Sequence, residues 1–408
     1  MQRGICIQKT ALHSFRRIPD VRSFAAIDRF ADTRGLLNVV GARKEMSTFF
    51  LSFTVSTLMT LFLIKQARRY GTALDSDLIG VQKVHATAVP RIGGVAIFFG
   101  VVVSAMAATW RVPSIGRGML LLLICASVAL LGGIVEDFTK RVSPLRRLIF
   151  TLAAAAMGYF LLGARIERID WLSSDWSLHN VWLALPLTLL AVAGIANAIN
   201  IIDGFHGLAS VVTICMLFSL GYVALQVNDV FILVAALLVA GATTGFLVWN
   251  YPAGLIFLGD GGAYFLGFML GELSVLLVMR NPGVSTWYAA LLLIYPVFET
   301  LFSIYRRFFL RGKSPGMPDG IHLHSLIFRR IVLWAVGRDG RALTRRNALT
   351  SPYLWLLSLL AVIPATIFWR RTGILMSFCA LFVLVYVWLY ARIVRFKSPR
   401  WMILGKRR

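Results

Sequence analysis

The chain has 408 residues, of which 58% are hydrophobic and only 15% charged, against about 25% charged in an ordinary soluble domain, so a soluble globule is excluded. Its formal net charge of +24 invites a nucleic-acid reading, but long apolar stretches separate the basic residues and leave no contiguous basic domain. The charge fits anionic lipids or an anionic substrate instead. Cys125, Cys215 and Cys379 lie inside apolar runs and Cys6 stands apart, with neither metal spacing nor a disulfide framework.

In chain order, residues 1–45 form a basic N-terminal extension, followed by apolar runs of the length that crosses a hydrocarbon core of about 30 Å. Eleven spans are predicted, near 46–64, 93–110, 118–135, 148–163, 181–195, 208–226, 230–248, 261–279, 287–305, 353–369 and 373–391. The fourth is short, which leaves a count of ten open. The expected architecture is an all-α polytopic membrane protein: a transmembrane core with cytoplasmic loops over 46–330, then a linker, two spans and a basic tail over 331–408.

Loops after odd-numbered spans, with the C-terminal tail, hold 26 of the 42 Lys and Arg, whereas loops after even-numbered spans hold 7. Basic residues in short loops stay cytoplasmic, so the odd-numbered loops and the C-terminus are expected on that side. The segment before Met46 holds 9 basic residues on the wrong side of this pattern and lacks a signal-peptide h-region. Translation is therefore expected to start at Met46.

Five polar groups sit where a membrane helix should be apolar or at its edge, and each has a bland alternative. Glu136 and Asp137 in GGIVEDFTKRVSP end the third span, where the helix dipole opposes two carboxylates; a solvated helix end with ion pairs is the alternative. In NAINIIDGFHGLA, Asn197, Asn200 and Asp203 recur at three-residue spacing on one helical face, and their oxygens suit a hard cation with phosphates; the alternative is a capped turn. In FLGDGGAYFLG, Asp260 starts the eighth span among glycines that let backbone amides approach an anion, unless it is merely an N-cap.

His322 and His324 in KSPGMPDGIHLHS point the same way if the loop is extended, and with Asp319 and nearby cations make a phosphate cluster better than a zinc site. Lys83, His85 and Arg91 in KVHATAVPRIGG are donors that otherwise serve as a membrane anchor. Glu299, seven residues before Arg306 in the ninth span, is a sixth candidate. All fall in odd-numbered loops or at their borders, so helix packing can gather them into one cleft. Carboxylates mixed with imidazole and cations at headgroup height suggest magnesium clamping phosphates.

The segments GGIVED, NAINIIDGFHGLA, FLGDGG, PDGIHLHS and KVHATAVPRIGG together resemble the successive cytoplasmic motifs of the polyprenyl-phosphate N-acetylhexosamine-1-phosphate transferases, which include the phospho-muramoyl-pentapeptide transferases. The resemblance spans about residues 46–330. It implies transfer of a sugar-1-phosphate from a UDP-N-acetylhexosamine to undecaprenyl phosphate, with release of UMP and with Mg2+, or Mn2+, as cofactor. It gives Glu136 and Asp137 the paired-aspartate motif, Asn200 and Asp203 the nucleotide and catalytic motif, Asp260 with Asp203 the metal, and His322 and His324 the diphosphate and sugar. Lys83, His85, Arg91 and Asn197 are expected to bind substrate.

Glu136 replaces the family's first aspartate, Ser325 stands where many relatives carry a further histidine, and Gly320 replaces a common arginine. These departures point toward the branch that initiates O-antigen or other surface polysaccharides rather than the peptidoglycan branch. A secondary transporter is the competing class, but its site belongs near the bilayer midplane, often between repeats, and none is visible. A membrane scaffold is the bland alternative. No nucleic-acid partner is expected, and a homodimer is left open.

Overall fold

The computed structural model describes residues 21–70, 74–75, 89–139, 143–171, 175–178, 180–312, 321–332 and 343–395. Lys83, His85, Lys140, Arg141, Asp319 and Gly320 lie outside the described residues. The chain forms two units, Met1–Lys44 and Glu45–Arg408. In the first, the described residues are helical.

Helix α1 (Val21–Tyr70) includes the candidate span Met46–Tyr70. It leads to a short antiparallel pair, β1 (Leu74–Asp75) and β2 (Val89–Pro90), with Leu74 opposite Pro90. Then come α2 (Gly93–Arg111), α3 (Gly116–Thr139) and α4 (Pro144–Met157), the last continued by a π-helical turn, Gly158–Leu162. A second pair, β3 (Arg168–Asp170) with β4 (Asp175–Ser177), precedes α5 (Val181–Ile202), α6 (Leu208–Gln226), α7 (Val230–Asn250) and α8 (Gly259–Arg280). The chain closes with α9 (Thr286–Leu292), α10 (Ile294–Arg311), the one-turn α11 (Leu323–Ile327), α12 (Leu343–Ile367) and α13 (Thr372–Val394). This is an all-α, multi-pass membrane protein.

Among the described residues, ten helices are long and apolar enough to cross a membrane, and α9 with α10 makes an eleventh if that bent pair counts as one span. The ambiguity in the count thus lies in the ninth apolar run, not the fourth, where Leu145–Leu162 is long enough. The two halves of the ninth run meet at 69° around Leu293. Pro296 explains the break, because it has no N–H for the Leu292 carbonyl and its ring crowds that carbonyl. Helix α12 begins ten residues ahead of the apolar run that reveals it, since Arg346, Asn347, Thr350 and Ser351 in its first turns are buried in protein rather than solvated.

The packing is that of a membrane protein. Helix α8 is buried along nearly its whole length, chiefly against α3 and α5, while α1, α3 and α10 turn large apolar side chains such as Leu58, Leu131 and Leu301 outward. Helix α10 inverts the soluble pattern: Glu299, Ser303 and Arg306 share its buried face, while Leu301, Ile304, Tyr305 and Phe308 are exposed. Small residues let backbones close in where side-chain burial gives little driving force between helices in lipid. A Cβ on Gly133 of α3 would collide with the backbone of Asp260 and Gly261, and one on Gly94 of α2 with that of Gly262. The start of α8 is thereby wedged between the start of α2 and the end of α3.

Candidate active site

The wedge is tied by backbone hydrogen bonds. Gly93 N–H donates to the Phe257 carbonyl at 3.0 Å, Gly94 N–H to Leu258 at 2.9 Å, and Phe257 N–H to Pro90 at 2.9 Å. Gly259 then enters α8 at φ +77°, a conformation that favours glycine, where a Cβ would also run into the Arg91 carbonyl and Asp137. The sequence GDGG thus serves close backbone approach as well as turning.

Asp137, from the end of α3, supplies the anion at this helix N-terminus. Asp260 N–H donates to its Oδ1 and Gly261 N–H to its Oδ2, each at 3.0 Å. One carboxylate therefore satisfies two of the four amides that an α-helix leaves unpaired, with favourable sign toward the helix dipole. Asp260 is not the N-cap, a position held by Leu258; it sits in the first turn with its side chain free to face the cleft. There Arg91 donates to Oδ1 at 3.2 Å and Arg147 of α4 to Oδ2 at 3.3 Å. The Arg91 Nε also lies 3.7 Å from Asp137 Oδ1.

Asp203 is the C-cap of α5, and its carboxylate accepts no hydrogen bond from protein among the described residues. Burial pushes its pKa up to about 7, aided by the charges of Asp260 and Asp137 and opposed by Arg91. Among the described residues, three carboxylates, Asp137, Asp203 and Asp260, thus share two guanidiniums, and Asp203 has no directly bonded cation. Glu136 lies near enough for Arg147 to feel its charge. Tyr264, one turn after Asp260, shares the electrostatic neighbourhood of Asp260, Arg147 and Asn200. Asn197 points elsewhere: its amide donates to Thr151 of α4 at 3.2 Å and to the Ala193 carbonyl at 2.8 Å.

The two histidines are stacked, with ring centroids 5.1 Å apart and planes 14° from parallel. His324 packs edge-on against Phe205 at 5.5 Å, and a Cβ on Gly204 would lie 3.3 Å from its Nε2, so the imidazoles adjoin the turn that carries Asp203. Their loop is held by the polar face of α10. Glu299 Oε1 lies 3.1 Å from His322 Nδ1 and accepts from Leu323 N–H at 3.0 Å, while Tyr386 of α13 donates to Oε2 at 2.6 Å. Arg306 donates to the Ile321 carbonyl at 2.6 Å and also to the Tyr390 hydroxyl.

Tyr264, Tyr386 and Tyr390 are the neighbours that sequence reasoning left without a role. All three had a usable signal: Tyr264 follows Asp260 by four residues, and Tyr386 and Tyr390 are four apart on an otherwise apolar helix. Arg147 lies on another helix from Asp137, and no spacing rule connects them.

The donors suit a hard cation. Among the described residues no three His, Cys, Asp or Glu side chains converge on a ready-made metal cage. Mg2+ does not require one, since it is commonly held by one or two carboxylates with waters and substrate phosphates. Asp203 and Asp260 offer oxygen ligands of that kind.

A helical bundle long and apolar enough to cross the membrane, with carboxylates, guanidiniums and imidazoles gathered at one end, defines a multi-pass membrane protein with a polar cluster at the helix ends. The family model for glycosyl transferase family 4 matches residues 119–278. A probable undecaprenyl-phosphate N-acetylglucosaminyl 1-phosphate transferase of Bacillus subtilis is 31% identical over 290 residues, covering 69% of this chain and 77% of the relative. A decaprenyl-phosphate N-acetylglucosaminephosphotransferase of Mycolicibacterium smegmatis is 28% identical over 304 residues, 67% and 70% of the two chains. A phospho-N-acetylmuramoyl-pentapeptide-transferase of Halalkalibacterium halodurans is 27% identical over 300 residues, 69% and 89%. The chain belongs to glycosyl transferase family 4.

Proposed function

We propose that this protein transfers an N-acetylhexosamine-1-phosphate from a UDP-sugar to undecaprenyl phosphate. An oxygen of the lipid phosphate attacks the sugar-bearing phosphorus of the donor, the bond from that phosphorus to the bridging oxygen breaks, and UMP leaves. One phosphoanhydride is exchanged for another, and the nucleophile is already anionic near neutral pH. Charge neutralisation therefore matters more than general-base help.

The observation that carries this reading is the convergence at the start of α8 of Asp203, Asp260 and Asp137 with Arg91 and Arg147, the Asp203 carboxylate having no hydrogen-bond donor among the described residues. Asp203 and Asp260 would hold Mg2+, which when bound offsets the negative charge of the phosphates. Arg91 and Arg147 receive phosphate oxygens, Asp137 fixes the start of α8, and His322 and His324 face the diphosphate and sugar. The cluster faces the cytoplasm of a bacterial inner membrane on this reading, in keeping with the lysine and arginine distribution.

Relatives named for N-acetylglucosamine favour that sugar, and the departures at Glu136, Gly320 and Ser325 favour the start of a lipid-linked surface polysaccharide such as an O-antigen. The muramoyl-pentapeptide reaction is a second reading, favoured by relatives of that name. Membranes bearing the protein, given undecaprenyl phosphate, Mg2+ and a panel of labelled UDP-sugars, are expected to form a lipid-linked product from UDP-N-acetylglucosamine that chelator abolishes. Product only from the muramoyl-pentapeptide donor would select the second reading. No product across the panel beside an active control would overturn both.

A further inference from the structure

At the opposite end of α3 and α8 from the carboxylate cluster lies a cavity of 850 Å³, within the usual range for small-molecule sites. Its rim carries Arg117 and Arg280, two of only seven basic residues in the even-numbered loops. Arg280 is neutralised: its Nε donates to Asp229 Oδ2 at 2.8 Å and its second nitrogen to Oδ1 at 3.3 Å. Asp229 also accepts from Asn281 and from the Ile232 amide, so it has nothing left for another cation. Arg117 is exposed and makes no ion pair among the described residues, which leaves the rim with one net positive charge.

Below the rim the lining turns apolar, with Leu121 of α3, Leu161 of the π-helical turn and Leu276 of α8. Leu161 is 46% exposed and adjoins Phe160 at 63%, so this wall runs on into the apolar surface that faces lipid. A cation at the level of the helix ends, above an apolar wall open to the bilayer, has the polarity of a lipid: phosphate above, acyl chain below.

We propose that this cavity binds the phosphate headgroup of an anionic phospholipid from the leaflet opposite the carboxylate cluster, with Arg117 as its cation. Free phosphate has the same head chemistry but no use for the leucine wall. The site does not rest on the reaction proposed above.

The test uses the purified full chain, delipidated in detergent and examined by native mass spectrometry with phosphatidylglycerol, phosphatidylcholine or inorganic phosphate. Wild type is expected to hold a first phosphatidylglycerol about fivefold more tightly than phosphatidylcholine, the preference that one basic residue near a membrane surface confers. Arg117→Gln should erase that preference and Leu161→Trp, which narrows the cavity at a lipid-exposed position, should weaken retention. Arg370→Gln, which removes an exposed cation outside the cavity, should change neither. Equal retention of the two lipids by wild type would overturn the proposal, as would a preference untouched by both cavity variants. Competition by inorganic phosphate as effective as that by lipid would also overturn it, in favour of an ion site.

Discussion

Asp203 and Asp260 differ in their surroundings more than in their chemistry. Asp260 is bracketed by two guanidiniums, whereas Asp203 has burial and like charge against it and only Arg91 to help. Asp203→Asn and Asp260→Asn should each lower transfer on the order of 10²-fold or more while the protein still inserts, measured as lipid-linked product per inserted protein. Full activity in both variants would remove these residues from the site. Glu272 is a different case, with no exposed surface and both carboxylate oxygens unpartnered among the described residues. Buried polar atoms without partners are costly, so Glu272→Met is expected to raise the thermal midpoint in detergent; a drop would mean that the carboxyl has a partner.

At the scale of elements, the histidine loop depends on two helices, α10 and α13. Glu299 of α10 receives the Leu323 amide and the Tyr386 hydroxyl and faces His322, which makes it a positioning residue. Glu299→Gln keeps the shape but offers an amide to a hydroxyl donor. It should lower kcat/KM for the UDP-sugar about tenfold. Tyr386→Phe, which leaves Glu299 its two other contacts, should cost less; the reverse order would argue for a purely structural role. Helix α8 depends instead on contact without side chains. Gly133→Val would push a branched side chain into the backbone at Asp260 and should destabilise the protein by about 1–3 kcal/mol and depress activity, read by thermal denaturation and product formation together.

Across the whole molecule, apolar run length and the placement of polar residues made the helices and the clustered motifs legible. Asp137, Asp203, Asp260, His322 and His324 all lie around the start of α8 or the turn beside it. What remained hidden was contact between distant segments: that Asp137 caps α8, that Asn197 serves the α4–α5 packing, and that α12 starts in polar sequence because it is buried by protein. Hydropathy counts residues and does not see which neighbour removes them from water. Pro296, which breaks the ninth run at Leu293, sits inside an apolar stretch that hydropathy reads as continuous. Orientation is checked by single cysteines at Gly283 and Gly312, exposed loop positions at the two ends of the bundle. In intact cells, after replacement of the native cysteines, an impermeant maleimide should label position 283 and spare 312. Labelling of 312 alone would invert the topology.

Tyr386 and Tyr390, which complete the clasp on the histidine loop, lie on α13, and α13 is made after every other described helix. During synthesis the carboxylates of α3, α5 and α8 therefore enter the membrane well before the imidazoles are fixed beside them. A nascent chain halted ahead of α13 would lack the clasp on the histidine loop, so the order of translation itself leaves that loop unfastened until α13 is in the bilayer.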